Sequence, residues 1–314
     1  MAIRLLLAAA GLYLFFIVAP SVVAGLTIFR YWPSGSFEEL TAPGAQFYPY
    51  RALLLPARDR LLAMPHREVT VDAPDGLALR AEYWPRGAAR TAIFVHGYRS
   101  DPMLNFAFLA DAFAREGCNR LLSQQRGHDA RTRTLTGMGL REQYDVLRWN
   151  AWALSQPGVT STVLCGASMG AATLAYASDK LDPGTTAALI LDSGYNSPYE
   201  QIFGDCRKRH LPGKLMMPII RWIAQRRPGV DLKAQTRTSL AKTSIPCFFL
   251  HGTEDLTVPY ACGRSCYDAC AARKAFFTAE GAGHIEAALA EPERAAAEIF
   301  AFISSSVQQE EHKP

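Results

Sequence analysis

Apolar and polar positions alternate through residues 67–84, REVTVDAPDGLALRAEYW, on both sides of Asp75-Gly76. A period of two interrupted by Asp-Gly predicts a β-hairpin. Beyond it the pattern becomes short apolar runs separated by longer segments with helical spacing. TAIFVHG (91–97), NRLLSQ (119–124), STVLCG (161–166), AALILD (187–192), PCFFLHG (246–252) and KAFFTA (274–279) read as strands. MLNFAFLADAFAREG (103–117), GLREQYDVLRWNAWALSQ (139–156), MGAATLAYAS (169–178) and EAALAEPERAAAEIFAFISS (286–305) read as helices. Strands alternating with helices imply parallel βαβ units. The expected class is α/β: a mostly parallel twisted sheet of about eight strands, helices on both faces, and the hairpin at one edge.

Three stretches leave this rhythm. Residues 33–66 are rich in Pro, Gly and aromatics without a period and read as a connector. Residues 194–244 read as a small helical lid insertion above the strand ends. They carry Arg207, Lys208, Arg209, Lys214, Arg221, Arg226 and Arg227 with no acid between Arg207 and Arg227. That is either a solvated face or a rim for anionic lipid or an acidic substrate. From Leu5 to Phe29 there is no charged residue. As a helix this run reaches about 38 Å at ~1.5 Å per residue, against ~30 Å of hydrocarbon.

Arg30, Tyr31 and Trp32 follow the run as interfacial anchors, so residues 1–32 read as an N-terminal membrane anchor, a transmembrane helix through residues 5–29. The alternative is a cleaved signal peptide with its site near Val22-Val23-Ala24. Arg4 and Arg30 nearly balance. The short polar N-terminus is expected to stay inside, leaving the large domain outside the cytoplasm. Residues 67–305 form that domain, and 306–314 a polar tail.

The 33 basic and 29 acidic residues, net +4, are too balanced for nucleic-acid binding by charge. Seven cysteines do not read as a disulfide scaffold. Cys262, Cys266 and Cys270 are spaced by four, on one helical face, but no CxxC or HxxxH accompanies them, and core packing is the better reading. No metal and no cofactor are called for, and oligomeric state is left open.

The chemistry centres on Gly166-Ala167-Ser168-Met169-Gly170, which fits G-x-S-x-G. With Gly and Ser near ~7% each, such a window arises somewhere in a chain this long about one time in ten. The strand before it and the helix after it give the motif its force. The turn must strain the serine backbone, and side chains two residues away on either side would collide with neighbours. A serine hydroxyl needs a base, and the base an acid, here in the chain order Ser, Asp, His. Asp255 follows the strand ending at Gly252, and His284 follows the last strand. Both therefore emerge on the rim that carries Ser168. Glu254 and Asp192 are competing acids. His251 and His96 are better suited to shaping turns, and His128 lies in a loop that either borders the site or is a surface residue. Backbone N–H groups of Met169 and Tyr98 are the expected oxyanion donors, with the Tyr98 ring at the acyl pocket.

HGYRSD (96–101), RGHD (126–129), GASMG (166–170), LILDSG (189–194), HGTEDLTVP (251–259) and GAGH (281–284) are collinear. Together they resemble the α/β-hydrolase superfamily, and within it the membrane-anchored serine-aminopeptidase-like or lysophospholipase-like group. The resemblance implies hydrolysis of an ester, thioester or amide through an acyl-serine, with Ser168 as nucleophile, His284 as base, Asp255 as orienting acid, and Met169 and Tyr98 as donors. Relatives have RGHG where this chain has RGHD, so Asp129 departs from the pattern in a loop that shapes their pocket. The expected function is a membrane-tethered serine hydrolase for a small-molecule or lipid-like acyl substrate. Two alternatives stand beside it: a catalytically silent scaffold that binds a partner or ligand, and a peptidase of the same fold.

Overall fold

A computed structural model describes residues 1–310 apart from 32, 34 and 35, with backbone alone at 7–9 and 306–310. The anchoring role expected of Trp32, and residues 311–314 of the polar tail, lie outside the described residues.

The chain opens with α1 (Ala2–Tyr13), a π turn (Leu14–Val18) and α2 (Ala19–Phe29). Pro20 cannot donate to the carbonyl one turn back, and the widened turn just before it absorbs the missing bond. This Ala2–Phe29 unit is, among the described residues, the one helix long and apolar enough to cross a membrane. Next come α3 (Phe37–Leu40), with Ser36 and Glu39 forming a capping box, and α4 (Arg51–Ala63).

The segment expected as a connector is therefore structured. Leu54, Ala57 and Leu61 of α4 are fully buried, and the Trp84 indole N–H donates to the Leu61 carbonyl at 2.9 Å. The spacing of these three is helical, but Pro56 inside the helix hides it in the sequence.

The sheet has eight strands: β1 (Arg67–Asp72), β2 (Ala78–Trp84), β3 (Arg90–Val95), β4 (Asn119–Gln124), β5 (Ser161–Ala167), β6 (Thr186–Asp192), β7 (Cys247–Gly252) and β8 (Lys274–Ala279). Their order is β1-β2-β4-β3-β5-β6-β7-β8. The hairpin strands β1 and β2 run antiparallel at one edge, and β4 through β8 with β3 are parallel. The helices between them are α5 (Pro102–Arg115), α6 (Glu142–Leu154), α7 (Met169–Ala177), α8 (Pro198–Lys208), α9 (Gly213–Arg226), α10 (Thr236–Leu240), α11 (Tyr260–Ala269), α12 (Ala287–Ala290) and α13 (Pro292–Glu310). The closing helix expected over 286–305 is two helices, because Pro292 starts a new one.

The inner parallel strands are buried on both faces, and the edge strand β8 only in part. One core lies under α4, α5 and α13, with Phe94, Phe113, Phe248 and Phe277; the other lies under α6, α7 and α11, with Trp149, Leu164, Leu174 and Leu189. A third cluster sits above the strand ends and joins α8 and α9 to α2, with Phe29, Met216, Ile220 and Ile223 fully or nearly fully buried. Of the 194–244 stretch expected as a lid insertion, α8 and α9 lie in this cluster together with α2, whereas Leu240 of α10 packs into the second core.

Candidate active site

The turn from β5 into α7 is tight because its neighbours leave no room. A Cβ on Gly166 would sit 2.6 Å from the Ala171 nitrogen, and one on Gly170 would sit 1.8 Å from the Val95 carbonyl oxygen. Between these glycines Ser168 takes φ +53° and ψ −113°, a strained conformation that lifts its hydroxyl off the strand end. Ser168 N–H donates to the Asp192 carbonyl at 2.8 Å, which pins the turn to β6.

His284, on the loop after β8, comes within 2.9 Å of Ser168 Oγ through Nε2 and within 2.7 Å of Asp255 Oδ2 through Nδ1. The other carboxylate oxygen of Asp255 accepts the N–H groups of Thr257 and Val258, both at 2.8 Å. His251 Nε2 lies 3.2 Å from Asp255 Oδ2. Burial alone would push this carboxyl up. The hydrogen bonds from His251 and His284, the His284 charge and the Val258 N–H outweigh it and hold Asp255 well below the usual carboxylate range. Glu254, the adjacent competitor, is exposed.

Asp192 ends β6 and accepts a hydrogen bond from the Ser193 hydroxyl at 2.9 Å rather than from a histidine; burial pushes its carboxyl up to about 6. His96 and His251 bond backbone, as expected of turn-shaping residues: His96 Nε2 accepts the Gln125 N–H at 3.0 Å, and His251 Nε2 faces the Val258 carbonyl at 2.9 Å. Of the two readings of His128, the surface one does not hold. It is buried, and its Nε2 accepts the Arg99 N–H at 2.8 Å.

Met169 opens α7 directly after Ser168, and Tyr98 follows Gly97, whose Cβ position would lie 3.3 Å from Ser168 Cβ. Neither backbone N–H has an acceptor among the described residues. The Tyr98 side chain lines the same cavity as Ser168 and His284, and its hydroxyl donates to the Ile28 carbonyl at 2.9 Å.

Several supporting residues have roles that no sequence motif signals. Asn105 Oδ1 accepts the Gly97 N–H at 2.8 Å and so orients the turn that presents Tyr98. Ser193, at φ +54°, accepts the N–H of Ile285, itself at φ +52°, at 3.1 Å. A β-branched residue in that conformation is strained and marks a constrained loop. Glu286 accepts the Gly283 N–H at 3.0 Å and the Tyr50 hydroxyl at 3.2 Å, while Gln46 Nε2 donates to the His284 carbonyl at 2.7 Å. The segment before the sheet therefore holds the histidine loop.

The departure at Asp129 does not reach this cavity. Its carboxylate accepts the Arg131 N–H at 2.8 Å, capping its own loop. Arg126, in the same RGHD run, is buried and bonded to Asp145 at 2.5 and 2.6 Å and to Asp75 at 2.8 and 3.2 Å, tying the loop to the hairpin turn. Among the described residues no group of His, Cys, Asp and Glu is placed to hold a metal ion. Cys266 and Cys270, expected in the core, are buried against the second face of the sheet.

No protein-family profile and no curated protein sequence matches the chain. Solved structures do. An esterase from Pyrococcus furiosus superposes with a TM-score of 0.64 at 17% identity, over 78% of this chain and 93% of its own. The α/β hydrolase GrgF from a Penicillium species does so at 0.62 and 16%, over 77% and 99%. Est1E from Butyrivibrio proteoclasticus, with ferulic acid bound, does so at 0.57 and 17%, over 76% and 99%. The chain has the α/β-hydrolase fold.

Proposed function

We propose that this α/β-hydrolase-fold protein is a serine hydrolase that cleaves an ester, thioester or amide bond of a lipid-like acyl substrate at a membrane surface. The observation that carries the reading is the continuous relay Ser168–His284–Asp255, with bonds of 2.9 and 2.7 Å, whose Ser168 and His284 line a cavity of about 520 Å³. Structures named as esterases share the fold and support the bond class.

His284 Nε2 takes the proton of Ser168 Oγ as the oxygen attacks the acyl carbon. Asp255 holds Nδ1 protonated and stabilises the imidazolium. The N–H groups of Met169 and Tyr98 receive the charge that develops on the carbonyl oxygen, and the start of α7 adds its positive dipole end. The imidazolium then protonates the leaving group, giving an acyl-serine. Water attacks this in turn, passes its proton to Nε2, and Oγ recovers one. The reaction needs only proton transfer and oxyanion stabilisation, so the reading calls for no cofactor.

The Ala2–Phe29 helix supports membrane attachment as a single-pass anchor, and a tether raises the local concentration of amphiphilic substrates. A fluorophosphonate probe should form one adduct, on Ser168. The Ser168→Ala variant should lose the adduct and about a millionfold in ester turnover. An unlabelled wild-type protein would mean a silent scaffold.

A further inference from the structure

The apolar N-terminal helix is more than a tether, because its last turns are built into the hydrolase domain. A helix end leaves its final carbonyls without partners. Here the carbonyls of Thr27, Ile28 and Phe29 are met by Arg99 Nη2 at 3.4 Å, the Tyr98 hydroxyl at 2.9 Å and the Thr136 N–H at 2.9 Å. On the adjoining face Gly25 lets α2 approach α9 closely: a Cβ there would lie 2.6 Å from Ile223 Cδ1. Phe29 is 1% exposed. These contacts fix the position of α2, and its Ala24, Thr27 and Ile28 line the cavity that holds Ser168 and His284, together with Met216 and Ile220 of α9.

The docking also sets a depth. With α2 held on the domain and the π turn touching α9, only Ala2–Tyr13 stands clear; its described side chains are exposed and mostly apolar. That length is about 18 Å at ~1.5 Å per residue, well short of ~30 Å of hydrocarbon. The shortfall draws α2 and α9 to the lipid surface. The outer face of α9 suits that position, with exposed Leu215 and Trp222 beside Lys214 and Arg226.

We propose that α2 is the acyl-selecting wall of the Ser168 cavity, so that the helix entering the membrane also sets which acyl chains are accepted: a long acyl chain lies along Ala24 and Ile28 with its carbonyl at Ser168. The inference rests on the serine-hydrolase reading for its substrate. It adds a selectivity that a simple tether would not supply.

The test uses the full chain in detergent micelles with p-nitrophenyl esters of C4, C8, C12 and C16 acids. Ala24→Trp narrows the cavity and should lower the C16-to-C4 ratio of kcat/KM at least tenfold. Ile28→Ala widens it and should shift the same ratio the other way, toward longer chains. Labelling of Ser168 by a small fluorophosphonate reports that each variant has an assembled site. In parallel, a fluorescent C16 fatty acid is titrated into the same proteins, a readout that needs no turnover; Ala24→Trp should weaken it at least tenfold. Unchanged ester profiles in both labelled variants, or fatty-acid binding equal across all three proteins, would overturn the proposal. Absent labelling of the wild type alone overturns the hydrolase reading, and the fatty-acid titration still decides the wall.

Discussion

Replacing Gly170 with alanine adds one methyl group where the chain has no space for it. The Cβ would stand 1.8 Å from the Val95 carbonyl oxygen, 2.6 Å from the Val95 carbonyl carbon and 2.9 Å from the His96 oxygen. Carbon–oxygen contacts relax at about 3.3 Å or more, so backbone must part by roughly 1.5 Å. All the opposing atoms are backbone, and no side chain can swing away. The displaced pieces are the end of β3, which leads into the Tyr98 turn, and the elbow carrying Ser168. Overpacking of this kind costs typically about 1–3 kcal/mol, and the absence of a flexible neighbour puts Gly170→Ala at the upper end. At about 2–4 °C per kcal/mol for a domain of this order of size, the melting temperature should fall by roughly 6–10 °C.

A misplacement near 1 Å at the reacting atoms costs on the order of a hundredfold, which fluorophosphonate labelling kinetics would read directly. Gly204 in α8 supplies the control: a Cβ there meets nothing within 4 Å. Ordinary helix propensity then applies, and Gly204→Ala should stabilise by up to about 1 kcal/mol. The same substitution in two helices is thus expected to have opposite signs. A Gly170→Ala protein that melts at or above the wild type and labels at the wild-type rate would refute the steric account of the elbow.

Two further outcomes follow from the loops that hold the site. Glu286→Gln removes one of the acceptor oxygens shared by Gly283 and Tyr50. Labelling of Ser168 should slow about tenfold. The Tyr50 phenol, which burial and then Glu286 push up to about 12, should titrate closer to ~10 in a phenolate absorbance difference curve; an unmoved curve counts against the contact. Asp192 has its folded-state pKa raised above the unfolded value of 3.8, to about 6, so its favourable contribution is full below the unfolded value and is lost as pH rises through about 6. Asp192→Asn should therefore be more stable than wild type at pH 8, by about 3 kcal/mol, with the gap closing by pH 4. Parallel melting curves across that range would show that Asp192 is not held protonated by the fold.

The sheet was legible because its signals are local. Alternation on either side of Asp75-Gly76 marks the hairpin, and the inner parallel strands β3, β5, β6 and β7, buried on both faces, carry apolar runs. The Ser168, Asp255 and His284 positions were legible for a related reason. Each stands just past the C-terminal end of a strand, and parallel strands deliver such residues to one rim whatever lies between them. Helix α4 was not legible: its buried Leu54, Ala57 and Leu61 are interrupted by Pro56, and their burial depends on the sheet they cover. Nor were the roles of Asn105, Ser193 and Glu286, whose hydrogen bonds to the Gly97 N–H, the Ile285 N–H and the Tyr50 hydroxyl exist only once the chain has folded.

Sequence by itself settled the layered α/β class, the strand count and the three residues that meet at the rim, since periodicity and chain order encode these directly. It also settled that the first thirty residues include a helix apolar enough to cross a membrane. Only the tertiary structure decided where that helix goes after it forms. An apolar surface is equally content against lipid or against protein. The choice for α2 rests on the fit of Gly25 to Ile223 and on three carbonyls finding donors from Arg99, Tyr98 and Thr136. Fit and pairing of that kind exist only between surfaces already folded, and no pattern along the chain records them.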